Sequence, residues 1–171
     1  MQTAFKLVLS QVMLVSQIEF RVCKKASDFE KAKAHSKAYL EWLGMDLSYQ
    51  KTEYEFHVFE KMYGTPSGCF LLAIAENEFL GGVGLRKLEN GICEMKRLYV
   101  YPKFQKNGIG EILCKHLIGI AKALGYNAMK LDTVAKLQSA IYLYKKLGFK
   151  ETDAYCENPD KTARFFELSL K

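Results

Sequence analysis

The sequence predicts an α/β (α+β) fold: a mixed, mostly antiparallel central sheet of about seven strands flanked by four helices. Three observations predict it. Apolar residues alternate in short runs and recur with helical spacing in longer ones. Three strand-like runs follow one another and precede two helix–strand alternations, the order of a mixed sheet with helices on both faces. The length of 171 residues, with 49% hydrophobic and 26% charged residues, is that of one globular domain able to bury a core without disulfides or structural metals.

Each element has a local cause. Ile18 to Cys23 alternates apolar and polar residues and reads as a strand. Ser27-Asp28-Phe29-Glu30 fits a capping box with Glu30 reaching back to the cap. Phe29, Ala32, Tyr39, Leu40 and Leu43 then follow helical spacing, closed by Gly44. Tyr49, Thr52, Phe56, Phe59 and Tyr63 predict a second helix, ended by Gly64 and Pro66. Three strands follow at Cys69 to Ala75, Phe79 to Leu85 and Ile92 to Tyr101, the last two joined by the hairpin signal Asn90-Gly91. A helix from about Gly108 to Leu124 carries Ile109, Leu113, Leu117 and Ile120 on one face, and Gly125 stops it. Ala128 to Thr133 is a strand with Met129 and Leu131 inward. Ala140, Ile141, Tyr144 and Leu147 mark the last helix, before strands at Phe149 to Thr152 and Arg164 to Leu170.

Residues 1–17 are expected to lie outside the domain, with Met13 an alternative start, and residues 18–171 to form a single domain. The apolar runs before Gln17 are too short to span a membrane. Cys23, Cys69, Cys93, Cys114 and Cys156 are odd in number and scattered, so no zinc site or disulfide framework is expected, and a reducing, cytoplasmic location is. The net charge of +6 suits an anionic ligand such as a nucleotide cofactor. No basic block interleaved with aromatics appears, so nucleic acid is not an expected partner.

The chemistry concentrates after the central strand, in Leu98-Tyr99-Val100-Tyr101-Pro102-Lys103-Phe104-Gln105-Lys106-Asn107-Gly108-Ile109-Gly110. A strand ends, a polar loop follows, and a helix opens on two glycines. The first amides of a helix lack internal partners, and its dipole favours an anion there. Glycine lets the backbone come close to a ligand, so this turn is an anion cradle suited to a diphosphate. Lys103 and Lys106 add positive charge. A P-loop would need Gly-Lys-Ser/Thr, yet Glu111 follows Gly110. A dinucleotide fingerprint would need a third glycine where Leu113 stands.

Three segments in register make the chain similar to the GCN5-related N-acetyltransferase (GNAT) family. Gln105-Lys106-Asn107-Gly108-Ile109-Gly110 resembles that family's diphosphate loop, Arg97-Leu98-Tyr99-Val100 its central strand, and Ala140-Ile141-Tyr142-Leu143-Tyr144-Lys145-Lys146-Leu147-Gly148-Phe149 its late helix. The resemblance covers roughly residues 18 to 170. It implies acetyl-CoA as co-substrate, no metal, and acetyl transfer to a primary amine of a small molecule, peptide or protein by direct attack. It implies that the main chain of Leu98, Tyr99 and Val100 pairs with the pantetheine arm, as an added strand does. The amides of Gln105, Lys106, Asn107, Gly108, Ile109 and Gly110 would hold the diphosphate. The family's usual Asn near the late helix is replaced by Leu137, with Gln138 beside it as the cofactor contact.

For proton transfer the resemblance points to Glu94 as base and Tyr144 as acid. Without a bulge, Glu94 shares the face of Leu98 and Val100; the alternative is a strand carboxylate paired with Lys96 or Lys130. Acceptor candidates are Trp42, Tyr49, Arg97, Tyr155 and Asn158. No membrane partner is expected, and the assembly is expected to be a monomer or homodimer. The competing expectation is a non-catalytic acyl-CoA-binding module on the same fold.

Overall fold

A computed structural model describes residues 17–44, 52–89 and 91–171. The elements run β1 (Glu19–Val22), α1 (Ala26–Leu43), α2 (Thr52–His57), α3 (Phe59–Tyr63), β2 (Cys69–Ala75), β3 (Glu78–Glu89), β4 (Ile92–Val100), α4 (Ile109–Ala123), β5 (Ala128–Val134), α5 (Gln138–Lys146), β6 (Lys150–Thr152) and β7 (Ala163–Ser169). A 3-10 turn at Pro102–Phe104 follows β4. The sheet has seven strands in the order β1-β2-β3-β4-β5-β7-β6. Every neighbouring pair is antiparallel except β4 and β5. Among the described residues no helix is long and apolar enough to cross a membrane.

The core lies on both faces of this sheet. On one face Leu71, Val83, Leu85 and Met95 meet Leu113 and Leu117 of α4 and Tyr144 of α5. On the other, Phe70 and Leu72 meet Phe29 and Ala32 of α1 and Phe59 and Tyr63 of α3. β2 is therefore buried at every position, as its unbroken apolar run requires. The α4 stripe Ile109, Leu113, Leu117 and Ala121 falls at intervals of four and is fully closed to water. Gly84 is demanded by packing: a Cβ there would stand 2.6 Å from the Tyr63 ring.

Two local expectations change. α1 begins at Ala26, and it is Asp28 that accepts the backbone N–H groups of Lys24 and Lys25, each at 3.3 Å. The capping carboxylate thus belongs to Asp28 rather than Glu30. The aromatic stripe after residue 51 forms two short helices, broken at Val58, instead of one. Tyr49 and the proposed extension up to Ser16 fall outside the described residues.

Candidate active-site cleft

The site begins where the sheet comes apart. β4 and β5 pair only at Ile92–Ala128, Cys93–Met129 and Glu94–Lys130. Beyond Glu94 the two strands diverge, and their facing edges pair with no other strand among the described residues. A bulge in β4 accompanies the divergence. Gly82 pairs with Tyr99 and Gly84 with Lys96, so β4 holds one residue more than β3 over this interval. Arg97 carries it, at φ 59°. That conformation costs a non-glycine residue about 1–2 kcal/mol, and tertiary contacts offset it. Arg97 Nε and Nη2 reach Glu55 at 3.1 and 2.6 Å, and the Tyr63 hydroxyl donates to the same carboxylate at 2.8 Å. His35 Nε2 lies 3.3 Å from the Arg97 carbonyl, the Nε2–H tautomer donating. Burial alone would raise the Glu55 carboxyl, but Arg97 and Tyr63 hold it below its usual value.

The bulge reverses the strand's alternation. Leu98 and Val100 pack with the α4 side of the core, where Cys93 and Met95 already lie. Glu94, Lys96, Arg97 and Tyr99 face the α1 side, where the Tyr99 ring lies tilted against Tyr39, Trp42 and His35. Glu94 therefore does not share the face of Leu98 and Val100, contrary to the unbulged expectation.

Beyond β4 the chain turns through Pro102–Phe104, with Lys106 at φ 66° and Gly108 at φ 77°. Gly108 is the N-cap of α4 and has no side chain to satisfy the first amides, so they stay open to a ligand. A Cβ at Gly108 would meet no atom within 4 Å. Gln105 donates to the Val100 carbonyl at 2.9 Å and ties the turn to the strand end. Asn107 Nδ2 donates to the Phe104 carbonyl at 3.1 Å and braces the turn from outside the cleft. Lys103 pairs with Glu78 and points away from the cleft, whereas Lys106 lines it. In the first turn of α4, Glu111 is drawn down to about 2 by Lys146 and Lys115.

Fork and turn open into one cleft of about 790 Å³. Leu98, Tyr99, Val100, Gln105, Lys106, Gly108, Ile109, Gly110, Gln138 and Tyr144 all line it. Gln138 opens α5, its Nε2 donating to the Ala135 carbonyl at 2.6 Å, and Leu137 before it caps nothing. Tyr144 is 7% exposed and packs against Phe149 and Phe166. Its hydroxyl makes no hydrogen bond to a described residue, and burial pushes it well above the ordinary phenol range, so it stays protonated.

A chain of alternating charges lies at the far end. Arg86 Nε donates to Glu94 at 2.5 Å. Lys96 Nζ sits 3.7 Å from Glu94 and donates to Asp132 at 3.1 Å. Tyr155 donates to Glu94 at 2.8 Å and Asn158 to Asp132 at 2.8 Å. Asp132 and Lys96 line the cleft; Glu94 and Tyr155 do not. Trp42, Arg97 and Asn158, the other described acceptor candidates, do. Lys130 turns instead to Glu167, at 3.6 Å. Burial would raise the Asp132 carboxyl, but Lys96 and Asn158 keep it below its usual value. Glu94, Asp132 and Cys156 bring ligand-type atoms within 4.8 Å of one another. Their charges already serve Arg86 and Lys96, and burial pushes the Cys156 thiol up to about 11, so the trio does not suit a divalent cation.

Sequence reasoning passed over Asp132, Glu55 and His35. The signal for them was charge out of place: Glu94, Lys96 and Arg97 on a strand otherwise apolar need buried partners elsewhere in the chain.

These features define an α/β domain whose sheet splits at an anion-accepting turn. The chain belongs to the acetyltransferase (GNAT) family, whose model matches residues 36–149. It is 36% identical over 161 residues to an uncharacterized N-acetyltransferase of Schizosaccharomyces pombe, covering 93% of this chain and 99% of that one. Its fold matches an acetyltransferase from Streptococcus agalactiae with a TM-score of 0.73 at 18% identity, over 90% of this chain and 98% of that one. A putative acetyltransferase from Salmonella typhimurium, solved with its cofactor acetyl-CoA, matches with a TM-score of 0.64 at 19% identity, over 91% and 95%.

Proposed function

We propose that the protein transfers the acetyl group of acetyl-CoA to a primary amine by direct attack. The observation that carries this reading is the meeting, in one cleft, of the open amides at Gly108 to Gly110, the unpaired edge of β4 and the Tyr144 hydroxyl. The amides from Gln105 to Gly110 would take the diphosphate. The β4 edge at Leu98, Tyr99 and Val100 would take the pantetheine amides, with Gln138 facing them across the cleft.

An ammonium first loses a proton. Its nitrogen then attacks the thioester carbon, the C–S bond breaks, the departing sulfur takes the Tyr144 proton, and the second proton shed by the nitrogen returns to Tyr144 through water. The balance is one amide, one thiol and one proton released to solvent. Holding both reactants together removes much of the entropic barrier. Glu94, set behind Lys96, would take part at one remove: through water as proton acceptor, and by fixing Lys96 beside Asp132.

The test is a thiol-release assay with acetyl-CoA against alkylamines, polyamines, amino acids and peptides. Amine-dependent thiol release is expected. Acetyl-CoA binding with no release across the panel would assign the chain to a non-catalytic binding module instead.

A further inference from the structure

We propose that Asp132 anchors the acceptor's ammonium, and that the acceptor is a primary amine on an aromatic or apolar body with no carboxylate beside the nitrogen. This rests on the acetyl-transfer reading and names the substrate class of that same cleft.

The argument starts from position. Asp132 lies on β5 just past the last residue paired with β4, so its carboxylate stands at the fork. It is a cleft-lining carboxylate on the acceptor side; Glu94, one strand over, lies behind it. Its oxygens accept one hydrogen bond each, from Lys96 and Asn158. A carboxylate oxygen has two lone pairs, so each can accept a further donor.

Charge order comes next. Arg86, Glu94, Lys96 and Asp132 alternate in sign and end on the carboxylate. Lys96 divides its charge between two carboxylates, at 3.1 and 3.7 Å. Among the described residues the side chains that reach Asp132 are that shared cation and a neutral amide, so it is under-matched and will welcome an ammonium. Among the described residues on this side of the cleft an acceptor carboxylate would find no comparable opening: Lys96 is over-matched, and Arg97 is held by Glu55. Lys136 lies at the Leu43 carbonyl, at the C-terminal end of α1, whose dipole already takes its charge.

The third observation is the wall beside Asp132. Trp42, 46% exposed, meets Tyr99 at a tilt with ring centroids 5.1 Å apart, and Tyr39 meets Tyr99 at 5.7 Å. Ring faces attract a cation and an apolar body together and offer little to an anion. The Tyr39 hydroxyl, like that of Tyr144, makes no hydrogen bond to a described residue, although Tyr39 lines the same cleft. Two hydroxyls without a hydrogen bond among the described residues, and a carboxylate under-matched among them, therefore line the cleft an amine would enter.

Phenethylamine and phenylalanine share their ring and nitrogen and differ by the carboxylate, so they form the test. With acetyl-CoA saturating, kcat/KM for phenethylamine should exceed that for phenylalanine by about tenfold or more. Asp132→Asn should raise KM for phenethylamine by about 10–100-fold, with acetyl-CoA affinity by calorimetry changed less than about twofold. Trp42→Ala, at a position 46% exposed, should raise the same KM several-fold and keep acetyl-CoA binding. Equal or better use of phenylalanine, no turnover of phenethylamine, or an unmoved KM in Asp132→Asn would overturn the proposal. If Asp132→Asn does not fold, the matched pair and Trp42→Ala decide. Failure of the acetyl-transfer reading shows separately, as loss of acetyl-CoA binding or of thiol release with every amine.

Discussion

The guanidinium of Arg97 and the carboxylate of Glu55, 42 residues apart in sequence, meet through two hydrogen bonds of 3.1 and 2.6 Å in a nearly closed interior. This contact holds the one β4 residue at positive φ, and with it the bulge that sends Leu98 and Val100 to the opposite face from Glu94.

Removing one partner leaves the other charge buried without compensation. Glu55→Gln should destabilise the fold by about 3–5 kcal/mol, read as a lower urea midpoint at unchanged slope. Arg97→Gly accepts the bulge conformation without strain and removes the charge. In that background Glu55→Gln should cost at least about 1 kcal/mol less than it does alone. Additive costs would show that the pair does not act as a unit.

His35 supplies a pH signature. It is fully buried among Phe70, Phe79, Tyr99 and Tyr101, and burial drives it down to about 4. A histidine that stays neutral in the fold and titrates normally when unfolded stabilises the fold above the unfolded value near 6.5. That stability drains as pH falls towards 4, by up to about 3 kcal/mol at 1.36 kcal/mol per unit. Asp28, Glu55 and Asp132, all held below their usual values, add their own loss only at lower pH, under about 4. Urea midpoints between pH 7 and 4.5 should therefore fall for the natural chain and stay nearly level for His35→Gln. Parallel slopes would contradict the assignment.

The hydroxyl of Tyr144 has no partner to lose among the described residues, so Tyr144→Phe should leave Tm almost unchanged. Turnover should fall by about 10²-fold or more, the contribution of a placed acid, while acetyl-CoA affinity holds. Unchanged kcat would remove Tyr144 from the chemistry.

Much of this site could be read from the chain because its signals are local. The Gln105–Gly110 turn, the α4 stripe and the α5 face each depend on residues within one or two helical turns of one another. Gly91, at φ 75°, likewise carries the turn before β4. The direction of Glu94 could not be read this way. It depends on a single arginine taking a conformation its own type disfavours, stabilised by Glu55 and His35 from distant segments. Asp132 escaped for a related reason: Lys130 and Asp132 look alike on an alternating strand, and only the divergence after Glu94 gives one of them a cleft. The break at Val58 was hidden because the aromatic spacing runs through it unchanged.

Side-by-side calorimetric titration of acetyl-CoA into the natural chain and Gly108→Val tests the central claim most directly. A Cβ there meets no atom within 4 Å, so the fold should survive, but a β-branched residue resists φ 77° and would misdirect the amides that open α4. The expected result is one acetyl-CoA bound per natural chain, with affinity reduced by about tenfold or more in Gly108→Val. No heat from the natural chain, or equal affinity in both, would contradict it.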